Sequence, residues 1–193
     1  MSWRPVALAS SLLLGATAFA QDAPRDPNRE NFWFVSAGTG FGQPVLGSED
    51  IRRGGIYTVG LAMPWNGLKL FGHPGQFVAQ GYYMFTKGGG FEDIPVNGLD
   101  TYGVLASARY HNHWFKGVDT FFEVGWGFCY SNHSTRDLDS LINSTPTFGI
   151  GASWAKGNDL VFAQIRWWHM SNGGTDGNNQ GLNQIQYIVG VKF

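Results

Sequence analysis

The feature that most limits how this chain can fold is a two-residue rhythm that recurs along most of its length. Eight segments, 31–41, 55–65, 76–87, 99–110, 119–130, 145–155, 159–171 and 183–193, set large apolar side chains against glycine, small or polar ones. In 119–130, Phe122, Val124, Trp126 and Phe128 share one parity, and Glu123, Gly125 and Gly127 the other. In 145–155, Phe148, Ile150, Ala152 and Trp154 stand against Thr147, Gly149, Gly151 and Ser153. In 99–110, Tyr102, Val104, Ala106, Ala108 and Tyr110 stand against Thr101, Gly103, Leu105, Ser107 and Arg109. Side chains alternate across a strand, so each segment reads as a strand with one greasy and one small or polar face.

Soluble sandwiches also alternate. Their strands, however, run to about 5–6 residues, whereas a tilted strand crossing a bilayer needs about 9–11. Small and polar inward faces suit the filled interior of an eight-stranded barrel. The expectation is an all-β, eight-stranded antiparallel transmembrane β-barrel forming one domain over residues 21–193. A charged fraction of only 14% with 28 glycines fits many strands and tight turns better than a helical domain.

The first twenty residues carry an export address. Arg4 supplies a positive start, Val6 to Ala16 an apolar stretch, and Ala18-Phe19-Ala20 a small-x-small cleavage site. The apolar stretch is shorter than the roughly 20 residues of a helical span, and no longer one follows it. Residues 1–20 are therefore expected to be a signal peptide, and the mature barrel is expected in the bacterial outer membrane. A net charge of −1 gives no support for a nucleic-acid partner. Cys129 is the only cysteine, which leaves no internal disulfide and no multi-cysteine metal site, and it reads as a packed small side chain. His73, His111 and His113 fall in predicted periplasmic turns without a carboxylate cluster. Asp176-Gly177-Asn178-Asn179 lacks the spacing and closing Glu of a calcium loop. No metal or cofactor is expected.

With an even strand number both ends of the barrel chain lie on the periplasmic side. The connections 42–54, 88–98, 131–144 and 172–182 then face outward, and 66–75, 111–118 and 156–158 are the periplasmic turns, the first of them longer than such turns usually are. Along 159–171, Val161, Ala163, Ile165, Trp167, His169 and Ser171 share the apolar face, opposite Phe162, Gln164, Arg166, Trp168 and Met170. In the last segment Asn183, Ile185, Tyr187, Val189, Val191 and Phe193 share a face opposite Gln184, Gln186, Ile188, Gly190 and Lys192. His169, Ser171 and Asn183 are thus expected on the lipid-facing side at the open end of one hairpin. An ionisable group there is costly and asks for a reason. Interfacial position alone is the plainer reading, since a histidine and a serine at a strand end need no catalytic role. Arg109 and Glu123 are expected to pair inside the barrel with Arg166 nearby. Trp167, Trp168, Trp154, Tyr110 and Trp114 read as interfacial aromatic girdles.

The run His169-Met170-Ser171-Asn172, followed by Gly173, Gly174, Asn179, Gly181 and Asn183 before a terminal strand, resembles the PagL-type lipid A 3-O-deacylases. The likeness extends upstream through Ser134-Thr135-Arg136-Asp137-Leu138 to Asn143, Thr145, Pro146 and Gly149-Ile150-Gly151. The terminal Phe193 also resembles the assembly signal of outer-membrane barrels. The resemblance implies an esterase acting on the 3-position acyl chain of lipid A, with Ser171 as nucleophile and His169 as general base. It also implies an oxyanion hole from Asn179 and backbone N–H groups near Gly173 and Gly174, with Asn172 as a supporting motif residue. Where the best-known members carry Glu, this chain has Asn183. An amide there can accept a hydrogen bond from the imidazole and fix its tautomer, but it supplies no negative charge. The implied partner is lipopolysaccharide of the outer leaflet, and pairing of barrels into a homodimer stays open. The alternatives are a non-enzymatic small barrel, structural, adhesive or a narrow channel, and a hydrolase of phospholipids.

Overall fold

The computed structural model describes residues 30–70, 72–88, 98–115, 118–156 and 159–193. The predicted signal peptide 1–20, most of the 88–98 connection and the side chains of His73, His113 and Trp114 lie outside the described residues. The strands are β1 (Phe32–Gly42), β2 (Arg52–Leu70), β3 (His73–Gly88), β4 (Gly98–Phe115), β5 (Val118–Ser131), β6 (Ile142–Ser144), β7 (Thr147–Lys156), β8 (Asp159–Met170) and β9 (Leu182–Lys192). They run in the order β4-β3-β2-β1-β9-β8-β7-β5, and pairing of β4 with β5 closes the ring. The three-residue β6 continues the β7 side of β5, with Phe128 opposite Ser144 and Tyr130 opposite Ile142. The eight long strands form a closed antiparallel barrel, as the alternation predicts.

Parity sorts the side chains as expected. Val104, Trp126, Phe128, Ile150, Tyr187 and Val189 are exposed on the outer wall, where a bilayer replaces water as their solvent. Thr101, Ser107, Arg109, Glu123, Ser153, Gln164, Arg166, Gln186 and Lys192 are buried in the lumen. There Arg109 donates from Nε to Glu123 Oε2 at 2.6 Å, and its guanidinium lies 4.4 Å from the centre of the Phe121 ring. Arg166 Nε donates to Gln186 Oε1 at 3.0 Å. Two opposite charges taken out of water need close mutual contact, and the lumen supplies it, with the Phe121 ring face beside the guanidinium. Glycines on the inner face make room for aromatic rings: a Cβ on Gly190 would come within 2.4 Å of the Phe162 ring.

Three expectations change. Trp168 is no girdle residue. It points inward, 1% exposed, and packs with Cys129, Leu138, Met170 and Leu182 in an apolar plug near the extracellular end of the lumen. Its even parity, shared with Arg166 and Met170, overrides the aromatic preference for the interface. His111 and His113 lie in β4 and His73 opens β3, none of them in a turn, and His111 Nε2 is 2.9 Å from Gln76 Oε1 in the lumen. The strands flanking the turn at 66–75 run further than their sequence suggests, so that Leu70 pairs with His73 after a register shift between Trp65 and Lys69.

Candidate active site

The site is built at the mouth of the β8–β9 hairpin. Antiparallel register sets His169 directly opposite Asn183, and both point outward. His169 Nδ1 lies 2.8 Å from Asn183 Oδ1. The amide's other end, Nδ2, donates to the Val45 carbonyl at 2.9 Å. A carbonyl can only accept, so this contact turns the amide oxygen toward the imidazole. Nδ1 must then carry a proton, so that in the neutral ring the lone pair lies on Nε2. The Trp167 ring stacks on the imidazole at 5.6 Å and 7°. Gly181 closes the other side: its φ of +77° favours glycine, and a Cβ there would lie 2.5 Å from His169 Cε1.

Ser171 follows the last residue of β8. Its backbone is pinned by Ser144, whose N–H donates to the Ser171 carbonyl at 2.7 Å and whose carbonyl accepts the Ser171 N–H at 3.0 Å. The Ser171 hydroxyl donates to Asn179 Oδ1 at 3.0 Å, and Gly173 N–H donates to Ser171 Oγ at 3.1 Å. Asn179 Oδ1 also accepts the Asn172 N–H at 3.0 Å, so without substrate the oxygen end of that amide faces the serine. Asn172 shapes the loop itself. Its side chain donates to the Asp176 carbonyl at 2.6 Å and accepts from Gly174 N–H at 2.8 Å. Gly173 and Gly174 have φ of +67° and +77°, left-handed values that glycine adopts freely. His169 and Asn183 thus form one hydrogen-bonded pair, and Ser171, Asn179 and the Gly173 N–H a second group in the loop that continues the same strand, while the Gly174 N–H faces Asn172.

Asn183 is only 2% exposed although it faces outward, because the 43–51 connection covers it. That connection is anchored by a residue whose part the sequence does not reveal. Asp137, 0% exposed, accepts the Ser48 hydroxyl at 3.0 Å and the N–H groups of Glu49 and Asp50 at 2.7 and 2.6 Å, all on Oδ2. Its main-chain carbonyl accepts the N–H groups of Gln180 and Gly181 at 2.9 and 3.2 Å. An Arg136–Glu49 ion pair joins the same two connections. Three outward loops thus meet on Asp137. Most of its partners are backbone groups, which leave no trace in residue type.

An apolar hollow of about 820 Å³ runs across the wall from Tyr187 and Ile165 through Ile150 and Phe122 to Tyr110 and Leu70, beginning one outward position before Trp167 on β8. In register, Ile165 sits between Ile150 and Tyr187, and Ala163 between Ala152 and Val189, on the strand that carries the histidine.

Fold and site together define an outer-membrane β-barrel with a polar constellation on its lipid-facing wall. The family model described as lipid A 3-O-deacylase (PagL) matches residues 33–192. The chain belongs to that family, and its place is the bacterial outer membrane. Among solved structures it is similar to the outer membrane enzyme PagL, with a TM-score of 0.58 at 20% identity over 81% of this chain and 97% of that one. It is also similar to Neisserial surface protein A, with a TM-score of 0.56 at 17% identity over 84% of this chain and 97% of that one. At these identities the two structures speak for the fold. No curated protein sequence matches the chain.

Proposed function

We propose that the protein is a serine esterase that removes the 3-hydroxyacyl chain from the 3 position of lipid A, with residues 1–20 as its export signal. Family membership supports lipid A deacylation. The observation that carries the mechanism is the 2.8 Å contact of His169 Nδ1 with Asn183 Oδ1, on the wall that meets lipid and in the hairpin that leads to Ser171.

A serine hydroxyl is a weak nucleophile until a base takes its proton. On entry of the ester the Ser171 hydroxyl exchanges its bond to Asn179 for one to His169 Nε2, which accepts the proton as Oγ attacks the acyl carbon. The developing oxyanion is received by the Gly173 N–H and, once the serine hydroxyl has left Asn179 Oδ1 and that amide has turned its NH2 end to the ester, by the Asn179 N–H, each such donor being worth about 2.7–4 kcal/mol. His169 returns the proton to the departing sugar oxygen and then deprotonates the water that releases the fatty acid. Asn183 holds the imidazole in the productive tautomer, and Asn172 and Gly174 hold the loop. No cofactor takes part in these steps.

The outward placement follows from the substrate. Lipid A is confined to the outer leaflet with its ester bonds near the interface, so it reaches a wall site by lateral diffusion. The apolar hollow continues the path of an acyl chain below the ester. A single barrel suffices for this chemistry, and a homodimer is no part of the proposal. The test is mass spectrometry of lipid A from cells that carry the protein. Loss of one 3-hydroxyacyl chain, reversed by Ser171→Ala, is expected. Unchanged lipid A beside a correctly folded barrel would favour the non-enzymatic alternative, and fatty acid released from phospholipid instead would change the substrate.

A further inference from the structure

We infer that Asp137 is a positioning residue for His169: by clamping the 43–51 connection it holds the Val45 carbonyl against the Asn183 amide, and so decides which end of that amide the imidazole meets. The inference rests on the proposed role of His169 as base.

A carboxylate has two equivalent oxygens and accepts whichever way it turns. An amide has two unlike ends. Rotated by half a turn, Asn183 would present its NH2 group to Nδ1 and stabilise the tautomer with the proton on Nε2. That tautomer has no lone pair facing the serine. A chain with asparagine at this position therefore needs an external group to hold the amide, and the Val45 carbonyl, 2.9 Å from Nδ2, is that group.

Val45 needs support in turn. The connection leaves β1 with Gln43 N–H donating to the Asn183 carbonyl at 2.9 Å, and Ser48 N–H folds back on the Val45 carbonyl at 3.1 Å. Between them Leu46 has a φ of +56°, a conformation unfavourable for a bulky side chain. Strained backbone of this kind persists only where its surroundings over-determine it. Leu46 is also 67% exposed, so its side chain contributes little to holding the turn. The restraint comes from the next residues, where Ser48, Glu49 and Asp50 all donate to Asp137 Oδ2. The path from Asp137 to the imidazole is thus continuous: carboxylate, loop backbone, Val45 carbonyl, Asn183 amide, His169.

The test uses the refolded full-length barrel in detergent with ¹⁵N-labelled histidine. In the wild type the His169 imidazole is expected as the Nδ1–H tautomer, and in Asp137→Asn as a mixture that includes Nε2–H. Kinetically, Asp137→Asn should lower kcat about tenfold with little change in KM when residue 183 is Asn, and should have almost no further effect in the Asn183→Ala background, the non-additivity expected of groups acting through one another. Ser48→Ala, which removes one donor and leaves the carboxylate, should move both readouts the same way by less, and serves if Asp137→Asn does not fold. An unchanged tautomer, or an equal loss in both backgrounds, would overturn the inference. If the wild type hydrolyses no lipid A, the functional proposal fails, and the tautomer measurement still decides the positioning claim.

Discussion

The lumen and the outer wall handle polar groups in opposite ways. Inside, full charges are tolerated: Arg109 and Glu123, with side chains 1% exposed, are in direct contact. Outside, at the hairpin mouth, the orienting pair of the site is formally neutral, an imidazole against an amide. The lumen gives a carboxylate cationic partners, whereas at the hairpin mouth residue 183 lies under the 43–51 connection against the Val45 carbonyl, an acceptor that suits an amide and would repel a carboxylate. In the proposed mechanism an amide there gives up electrostatic help to the imidazolium, and loop anchoring takes over the job of orientation. Full charges are thus kept to the interior, and the proposed site is built from uncharged side chains held by loop geometry.

Three substitutions probe this division, from the largest expected effect to the smallest. Glu123→Ala leaves Arg109 and Arg166 in the lumen without the carboxylate and should cost about 3–5 kcal/mol of stability, the usual penalty for stranding a buried charge. Denaturant unfolding of the refolded barrel measures it, and the fraction that remains folded should keep its wall activity. Asn179→Ala removes one proposed oxyanion donor and should reduce kcat by about 10²-fold or more with unfolding unchanged. Steady-state kinetics on lipid A in micelles reads this effect. Asn183→Glu restores the residue of the best-known relatives, yet its carboxylate must face the Val45 carbonyl. Two acceptors would then oppose each other, so the rate should stay within about a few-fold of wild type or fall, the loss of a hydrogen bond being worth about 1 kcal/mol. A large gain would show that the wall accepts a charge as readily as the lumen does.

The sequence makes the barrel and the outward placement of the site legible for one reason. Alternation has a period of two, so a correct parity at Trp167 settles His169 and Ser171, and one at Tyr187 settles Asn183. The interior pair follows in the same way from Arg109 and Glu123. What parity cannot say is what covers each face. Trp168 looks like an interfacial aromatic but belongs to the plug beneath the extracellular loops. Asn183 looks lipid-exposed but is roofed by Val45 and its neighbours. Asp137 is visible only as part of a resemblance, because it works on backbone N–H groups nearly ninety residues earlier, at Glu49 and Asp50. The extension of β2 and β3 past residue 65 is hidden by a turn-like Asn66-Gly67 inside a strand that pairs on through an irregularity.

The central claim is that Ser171 is an activated nucleophile on the lipid-facing wall. It is tested most directly by treating the bilayer-reconstituted barrel with a long-chain alkyl fluorophosphonate and mapping the adduct by peptide mass spectrometry. The account predicts a single adduct on Ser171, strongly reduced by His169→Ala, and formed faster by the membrane-partitioned probe than by a short water-soluble one. An unlabelled Ser171, or labelling indifferent to His169, would contradict it.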